Sequence, residues 1–481
     1  MNEKPSVISE LFISGHWRAG SSGERFPVFD PADGSVITQF AVATEKDCLD
    51  AVAAAELAAP AWALTAPRAR AEMLRGAFDI LTAERDQLAE LMVRENGKAW
   101  GDAIAEAGYA TEFFRWFAEE AVRIPGEYRL SPGGDKHIIV TRQPIGVSLL
   151  ITPWNFPAAM AARKLAPALA AGCTTVLKPA SETPLTAAYI VDVLRRAGVP
   201  AGVVNLVTPV PTGPAVTAML AQGAVRKLSF TGSTEVGRVL LAQAAGPVIN
   251  ASMELGGNAP LIVLPGADLE LAIEGAMAAK MRNGGSACTS ANRLYVHRSL
   301  HDAFVEGLQV RLASMVTGPG LDHANTLGAL VSQKERDKVA ALVDTAVAEG
   351  AQVVLGGHTP AGAGAFFPPT LLTNVEHGST ITRTEIFGPV AAVIAFDDID
   401  DAVRMANDTE YGLIAYVFGE EGEAMKVAMR IDAGMVGVNR GVISDPAAPF
   451  GGVKQSGLGR EGGTDGILEY LEEKYIATSV R

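Results

Sequence analysis

The sequence predicts an α/β fold with more than one domain, on three observations. Residues 45–122 are rich in alanine, and apolar residues recur there at three- and four-residue spacing, which predicts helices. Short apolar, β-branched runs then alternate with helix-like stretches: VSLLIT (147–152), TTVLKP (174–179), VVNLVT (203–208), KLSFTG (227–232) and APLIVL (259–264). A second series follows in RLYVH (293–297), AQVVLGG (351–357), AAVIAF (391–396) and GMVGVNR (434–440). A parallel neighbour needs a crossover long enough to hold a helix, so both series read as βαβ units on parallel sheets. Two segments fit neither series. EYRLSPGGDKHIIVTRQP (127–144) reads as a hairpin turning at SPGGD, and ILEYLEEKYIATSV (467–480) ends strand-like. Both are expected to be arms whose open strand edges suit subunit contact.

Composition narrows the function classes. The 481 residues are 48% hydrophobic and 20% charged, an ordinary globular mix long enough for two to four domains. The net charge of −14, with no Lys/Arg run, disfavours nucleic-acid and anionic membrane surfaces. Three cysteines, Cys48, Cys173 and Cys288, make no disulfide framework, and the expected setting is a reducing cytoplasm. MNEKPSVISELFISGHW lacks the basic and apolar regions of a secretion signal, and the apolar region around 145–178 is broken by Arg163, Lys164 and prolines. The seven histidines are scattered, with no HExxH or CxxC, so no metal site is expected.

Several motifs carry chemistry. In MRNGGSACTS (281–290) Cys288 sits among residues too small to cover it, as a nucleophile requires; the alternative is an inert buried thiol, which suits Cys48 and Cys173. In MELGGNAP (253–260) Glu254 precedes a glycine pair and a strand, where a carboxylate lines a cleft as general base or is merely solvated. In ITPWNFP (151–157) two prolines hold Asn155 as a rigid amide donor for an oxyanion; the alternative is a helix cap. FTGSTEVG (230–237) places Gly232 and Ser233 at a helix start, a ready anion site. TEIFGPV (384–390) places Glu385 and Phe387 before a Gly-Pro turn.

In order, TPWNFP, LKPASETP, FTGST, MELGGNAP, NGGSAC, EIFGPV and APFGGVKQSGLGREG resemble the aldehyde dehydrogenase superfamily over nearly the whole chain. The resemblance implies a Rossmann-like cofactor domain (1–122 and 146–254), an α/β catalytic domain (255–447) and a small bridging, oligomerisation sheet (123–145 and 467–481) in a homodimer or homotetramer. It implies that Cys288 attacks the aldehyde, that Asn155 and the Cys288 N–H hold the oxyanion, and that Glu254 activates water. The implied cofactor contacts are Thr152, Trp154, Lys178, Ser181, Gly232, Ser233, Leu255, Glu385 and Phe387. The intact set Cys288, Glu254, Asn155 and Lys178 speaks against a non-catalytic protein on this scaffold, and Glu254 against a CoA-acylating relative.

Within the superfamily the C-terminal motif and GILEYLEEKY are most similar to succinate-semialdehyde dehydrogenases. In that group an arginine after TPWNFP, an arginine six residues before the nucleophile and a serine ahead of PFGG hold a carboxylate. Arg163, Arg282 and Ser444 occupy those places. Guanidinium groups grip carboxylates by paired, charge-assisted hydrogen bonds, so an anionic aldehyde is expected. The alternative is that both arginines pair with local acids. Succinate semialdehyde is the leading substrate, with glutarate semialdehyde or sulfolactaldehyde as alternatives. Ser181 stands where NAD-preferring relatives often carry a glutamate, and the neighbouring Glu182 is expected to point elsewhere, so NADP is the expected cofactor with NAD as the alternative. Pro209 departs from the family's glycine in the adenine loop. No cysteine neighbours Cys288, so the disulfide switch of some relatives is expected to be absent.

Overall fold

A computed structural model describes residues 7–480 of the chain. Residues 1–6, part of the stretch read for a secretion signal, and Arg481, the end of the C-terminal arm, lie outside the described residues. Helices occupy 45–120 as the spacing predicts: α1 (Glu45–Ala63), α2 (Pro67–Ala83), α3 (Arg85–Asn96) and α4 (Trp100–Glu120). Thr44 and Asp47 close α1 with a reciprocal capping box. The break before α4 is made at Gly97 (φ 86°), where an added Cβ would sit about 3 Å from Pro31 and from Ala329.

The first sheet has eight strands, in the order Gly457–Leu458, Asn250–Glu254, Val225–Thr231, Val147–Ile151, Thr175–Lys178, Val204–Leu206, Leu11–Ile13, His16–Arg18. The five strands from Asn250–Glu254 to Val204–Leu206 run parallel, linked by α5 (Pro157–Ala171), α6 (Pro184–Arg196), α7 (Thr212–Leu220) and α8 (Thr234–Ala245). Val147–Ile151 is buried along its length, which is why it reads as a continuous apolar run. The chain builds outward from this strand to one side and then returns to its other side with Val225–Thr231. Order therefore reverses between these two strands, and their C-terminal ends carry TPWNFP and FTGST. A crevice is expected there on topology alone.

The second sheet has seven strands, in the order Gln352–Leu355, Thr370–Thr373, Val390–Phe396, Ala291–His297, Ala259–Val263, Ile414–Phe418, Met435–Val438. It corrects one reading. The run at 259–264, grouped by spacing with the first series, pairs instead with Ala291–His297 and Ile414–Phe418. Spacing along the chain does not say where the sheet changes. The 351–357 run is an antiparallel edge strand, and Asn250–Glu254, Thr370–Thr373, Ile414–Phe418 and the N-terminal strands escaped the reading. The hairpin forms as Glu127–Leu130 and Lys136–Pro144, and Leu471–Ser479 pairs antiparallel with the second strand along its whole length. These three strands make a separate, largely exposed sheet. Among the described residues no helix is long and apolar enough to cross a membrane.

Candidate active site

The crevice at the reversal point is a cleft of about 680 Å³. Trp154, Asn155, Gly232, Ser233, Leu255, Cys288, Glu385 and Phe387 line it, drawn from five separate segments. Trp154 and Phe387 meet edge to face, with centroids 5.4 Å apart. Ser233 caps α8, its hydroxyl accepting from the Val236 N–H at 3.4 Å.

Asn155 is not a helix cap. Its Nδ2 donates to the Ser286 carbonyl at 3.1 Å, and its own carbonyl accepts from Lys98 Nζ at 2.9 Å and Asn283 Nδ2 at 2.8 Å. The start of α5 is satisfied from outside: Pro157 has no N–H to satisfy, and Glu106 accepts the Ala158 and Ala159 N–H groups at 2.9 and 3.1 Å. Lys98 bridges the two features through an ion pair with Glu106.

The segment before the nucleophile turns through three left-handed residues, Asn283, Gly284 and Gly285. Their smallness serves close packing more than access. A Cβ on Gly285 would fall 2.1 Å from the Gly388 carbonyl, and one on Gly257 would fall 2.4 Å from the Cys288 carbonyl. Asp102 fixes the turn by accepting the Asn283 N–H at 3.0 Å. Cys288 remains half-buried at the cleft, and burial pushes its thiol up to about 12, with Glu385 and Glu254 pushing the same way and Arg163 and Arg282 opposing. Cys48 and Cys173 are fully buried.

Glu254 ends its strand buried, close to the backbone of Gly451. Burial, with the nearby Glu461 carboxylate, raises its pKa well above the ordinary value against Lys164, Arg163 and Arg460. Its Oε2, the Thr231 hydroxyl and Asn155 Oδ1 are buried without a hydrogen-bond partner among the described residues. Both shifts favour the protonated forms, so the deprotonated thiol and carboxylate accumulate as pH rises. Turnover limited by them is expected to increase with pH. An acid optimum in a pH–rate profile would contradict this.

Arg163, on α5, is buried and already engaged: Nη2 donates to the Tyr109 hydroxyl at 2.5 Å, Nη1 lies 3.7 Å from Glu461, and Phe450 stacks on it at 4.0 Å. For Arg163 the alternative of a local acid partner therefore applies, though in the interior. Its Nε stays unpartnered. Arg282, just after α9 (Leu269–Met281), makes no ion pair among the described residues. It donates to Thr289 Oγ1 at 3.3 Å and lies 5.2 Å over the Phe156 ring. Ser444 is half-buried in the segment after Met435–Val438; its neighbours Ile443 and Phe450 share the apolar cluster that Cys288 packs against.

Three expected cofactor residues lie away from the cleft lining. Thr152 donates its N–H to the Lys178 carbonyl at 3.1 Å. Burial lowers the Lys178 ammonium to about 8, with Glu182 opposing. Ser181 is exposed beside a second cleft and donates to Glu182 at 3.2 Å. Glu182 lines the same second cleft.

Sequence reading missed the supports. Asp102, Glu106, Tyr109 and Phe113 lie along one stripe of α4 and face the nucleophile turn, the α5 start and Arg163. Polar residues at helical spacing within an otherwise apolar face were the available signal.

The aldehyde dehydrogenase family model matches residues 17–476. A succinate-semialdehyde dehydrogenase of Paenarthrobacter nicotinovorans is 49% identical over 442 residues, covering 92% of this chain and 98% of the relative. A glutarate-semialdehyde dehydrogenase of Pseudomonas aeruginosa is 45% identical over 468 residues, covering 97% of each. A crystal structure of an NADP-dependent enzyme of E. coli superposes over 100% of both chains with TM-score 0.98 at 44% identity. With fold, cleft and motifs in agreement, the chain belongs to the aldehyde dehydrogenase family.

Proposed function

We propose that the protein oxidises a carboxylate-bearing aldehyde, succinate semialdehyde first, to the acid with NADP. The observation that carries the substrate class is Arg282, a guanidinium that makes no ion pair among the described residues and lies a few residues from Cys288, with Arg163 and Ser444 as further contacts. The residues fit a nicotinamide dinucleotide. Gly232, Ser233 and the start of α8 suit a pyrophosphate, Lys178 and Ser181 the adenosine ribose, and Glu385 the nicotinamide ribose, with Trp154, Leu255 and Phe387 along the cleft. Thr152 holds the strand end beside Lys178. Bound there, the cofactor supplies the acceptor for a hydride.

The Cys288 sulfur forms a bond to the aldehyde carbon as its proton leaves. Asn155 Nδ2 and the Cys288 N–H stabilise the oxyanion, an arrangement held before substrate arrives by Lys98, Glu106 and Asn283. After hydride loss the carbon is a thioester. Glu254, once ionised, takes a proton from the water that attacks it, releasing the acid and the thiol. In this reading the eight-stranded sheet serves the cofactor, the seven-stranded sheet the thiol, and the exposed three-stranded sheet pairs subunits.

Glutarate semialdehyde is the second reading, favoured by the Pseudomonas aeruginosa relative. Steady-state kinetics with succinate semialdehyde, glutarate semialdehyde, sulfolactaldehyde and butanal, each with NADP and NAD, test both. The expected order of kcat/KM places succinate semialdehyde first and butanal last, with NADP at least as effective as NAD. A preference for butanal would reject the anionic substrate, and a strong preference for NAD would give Glu182 control of the ribose end.

A further inference from the structure

Thr289 follows the nucleophile and is buried, and both its carbonyl and its hydroxyl are engaged by other side chains. The carbonyl accepts from the Tyr416 hydroxyl at 2.8 Å, and the Thr289 hydroxyl accepts from Arg282 Nη2 at 3.3 Å. Tyr416 is buried on the strand Ile414–Phe418 of the second sheet, so it pins the Thr289 backbone from the core. Arg282 precedes the nucleophile turn and Thr289 follows it, so their hydrogen bond closes that turn across its two ends. The guanidinium also lies 5.2 Å over the Phe156 ring, and Phe156 lines the cleft with Cys288. Both partners of the guanidinium are neutral. The carboxylate of Asp102, beside the same turn, accepts the Asn283 N–H at 3.0 Å, and Arg282 makes no ion pair among the described residues.

A β-branched side chain is stiff about χ1, so with the backbone pinned by Tyr416 the Thr289 hydroxyl points in a set direction. A carboxylate in its place would hold the arginine more strongly but would also neutralise it. A hydroxyl orients the guanidinium and leaves its charge and its remaining N–H groups for a ligand. An arginine fixed beforehand does not lose its rotamer freedom in the binding step, which is how preorganisation raises affinity. We propose that Thr289, held by Tyr416, is a positioning residue that aims Arg282 at the substrate carboxylate and thereby sets the preference for an anionic over a neutral aldehyde. The proposal rests on Arg282 being the contact for that carboxylate. Thr289 acts through substrate affinity, and the chemical steps keep the groups already assigned to them.

Steady-state kinetics of the full chain at saturating NADP, with succinate semialdehyde and with butanal, test this on wild type, Thr289→Val, Thr289→Ser, Tyr416→Phe and Arg282→Ala. Thr289→Val keeps the shape of the side chain and removes the acceptor. It is expected to raise KM for succinate semialdehyde roughly tenfold, with kcat and the butanal KM within about twofold of wild type. Thr289→Ser returns the hydroxyl and is expected to recover most of that loss. Tyr416→Phe frees the Thr289 carbonyl and is expected to raise the same KM by about two- to threefold. Thr289→Ala, with the same expectation as Thr289→Val, serves if Thr289→Val fails to fold. Equal losses on both aldehydes in Thr289→Val, or a fall in kcat at unchanged KM, would reduce Thr289 to a support of the nucleophile turn and overturn its role in specificity. A Thr289→Ser variant no better than Thr289→Val would do the same. If Arg282→Ala loses both aldehydes equally, the carboxylate contact falls and the inference falls with it. If Arg282→Ala is selective and Thr289→Val is not, the role of Thr289 alone is overturned.

Discussion

Cys288→Ala is expected to abolish aldehyde-dependent NADPH formation, by on the order of 10⁴-fold or more, while NADP still binds within a few-fold of wild type. The covalent route needs a sulfur that bonds the aldehyde carbon and later leaves it, and no other thiol can substitute. Cys48 lies in the core between α1 and the first sheet; Cys173 is buried with its thiol donated to the Tyr470 carbonyl at 3.2 Å. Replacing either is expected to leave turnover nearly unchanged. Absorbance of NADPH and calorimetry together separate lost chemistry from lost folding. Substantial residual turnover in Cys288→Ala would reject the covalent route. A wild-type protein inert to every aldehyde would favour the non-catalytic alternative.

Arg282→Ala is expected to lower kcat/KM for succinate semialdehyde by roughly 3 kcal/mol, on the order of 10²-fold, and for butanal much less. Two effects are mixed in this variant and the pair of substrates separates them. Arg282 favours the ionised thiol of Cys288, so losing it costs both aldehydes alike. Only the anionic aldehyde also loses its counterion. Equal losses on both substrates would remove the carboxylate role. Arg163 is the poorer test, because its removal takes one of two cations from the buried Glu461, leaving only Lys164, and disturbs packing against Phe450.

The proposed catalytic residues could be singled out because each sits in a short contiguous motif whose local geometry already suggests a use. Asn155 between two prolines, Glu254 before a glycine pair and Cys288 among small residues needed no knowledge of distant contacts. The helical region 45–122 and the strand–helix alternation were legible because periodicity is local. The Ala259–Val263 strand was misgrouped because sheet membership depends on which neighbour accepts its hydrogen bonds, and nothing within those residues states that.

By itself, then, the sequence determined the α/β class and the motif order, and it singled out Cys288, Glu254 and Asn155 as the candidate chemical groups. Tertiary structure alone decided how those groups are held and charged. The α4 stripe holds the Asn155 segment and the turn before Cys288, Gly285 and Gly257 let separate segments touch backbone to backbone, and Glu461 engages Arg163 while Arg282 makes no ion pair among the described residues. These outcomes depend on burial and on partners far apart along the chain, and electrostatic energy follows distance in space, not position along the chain.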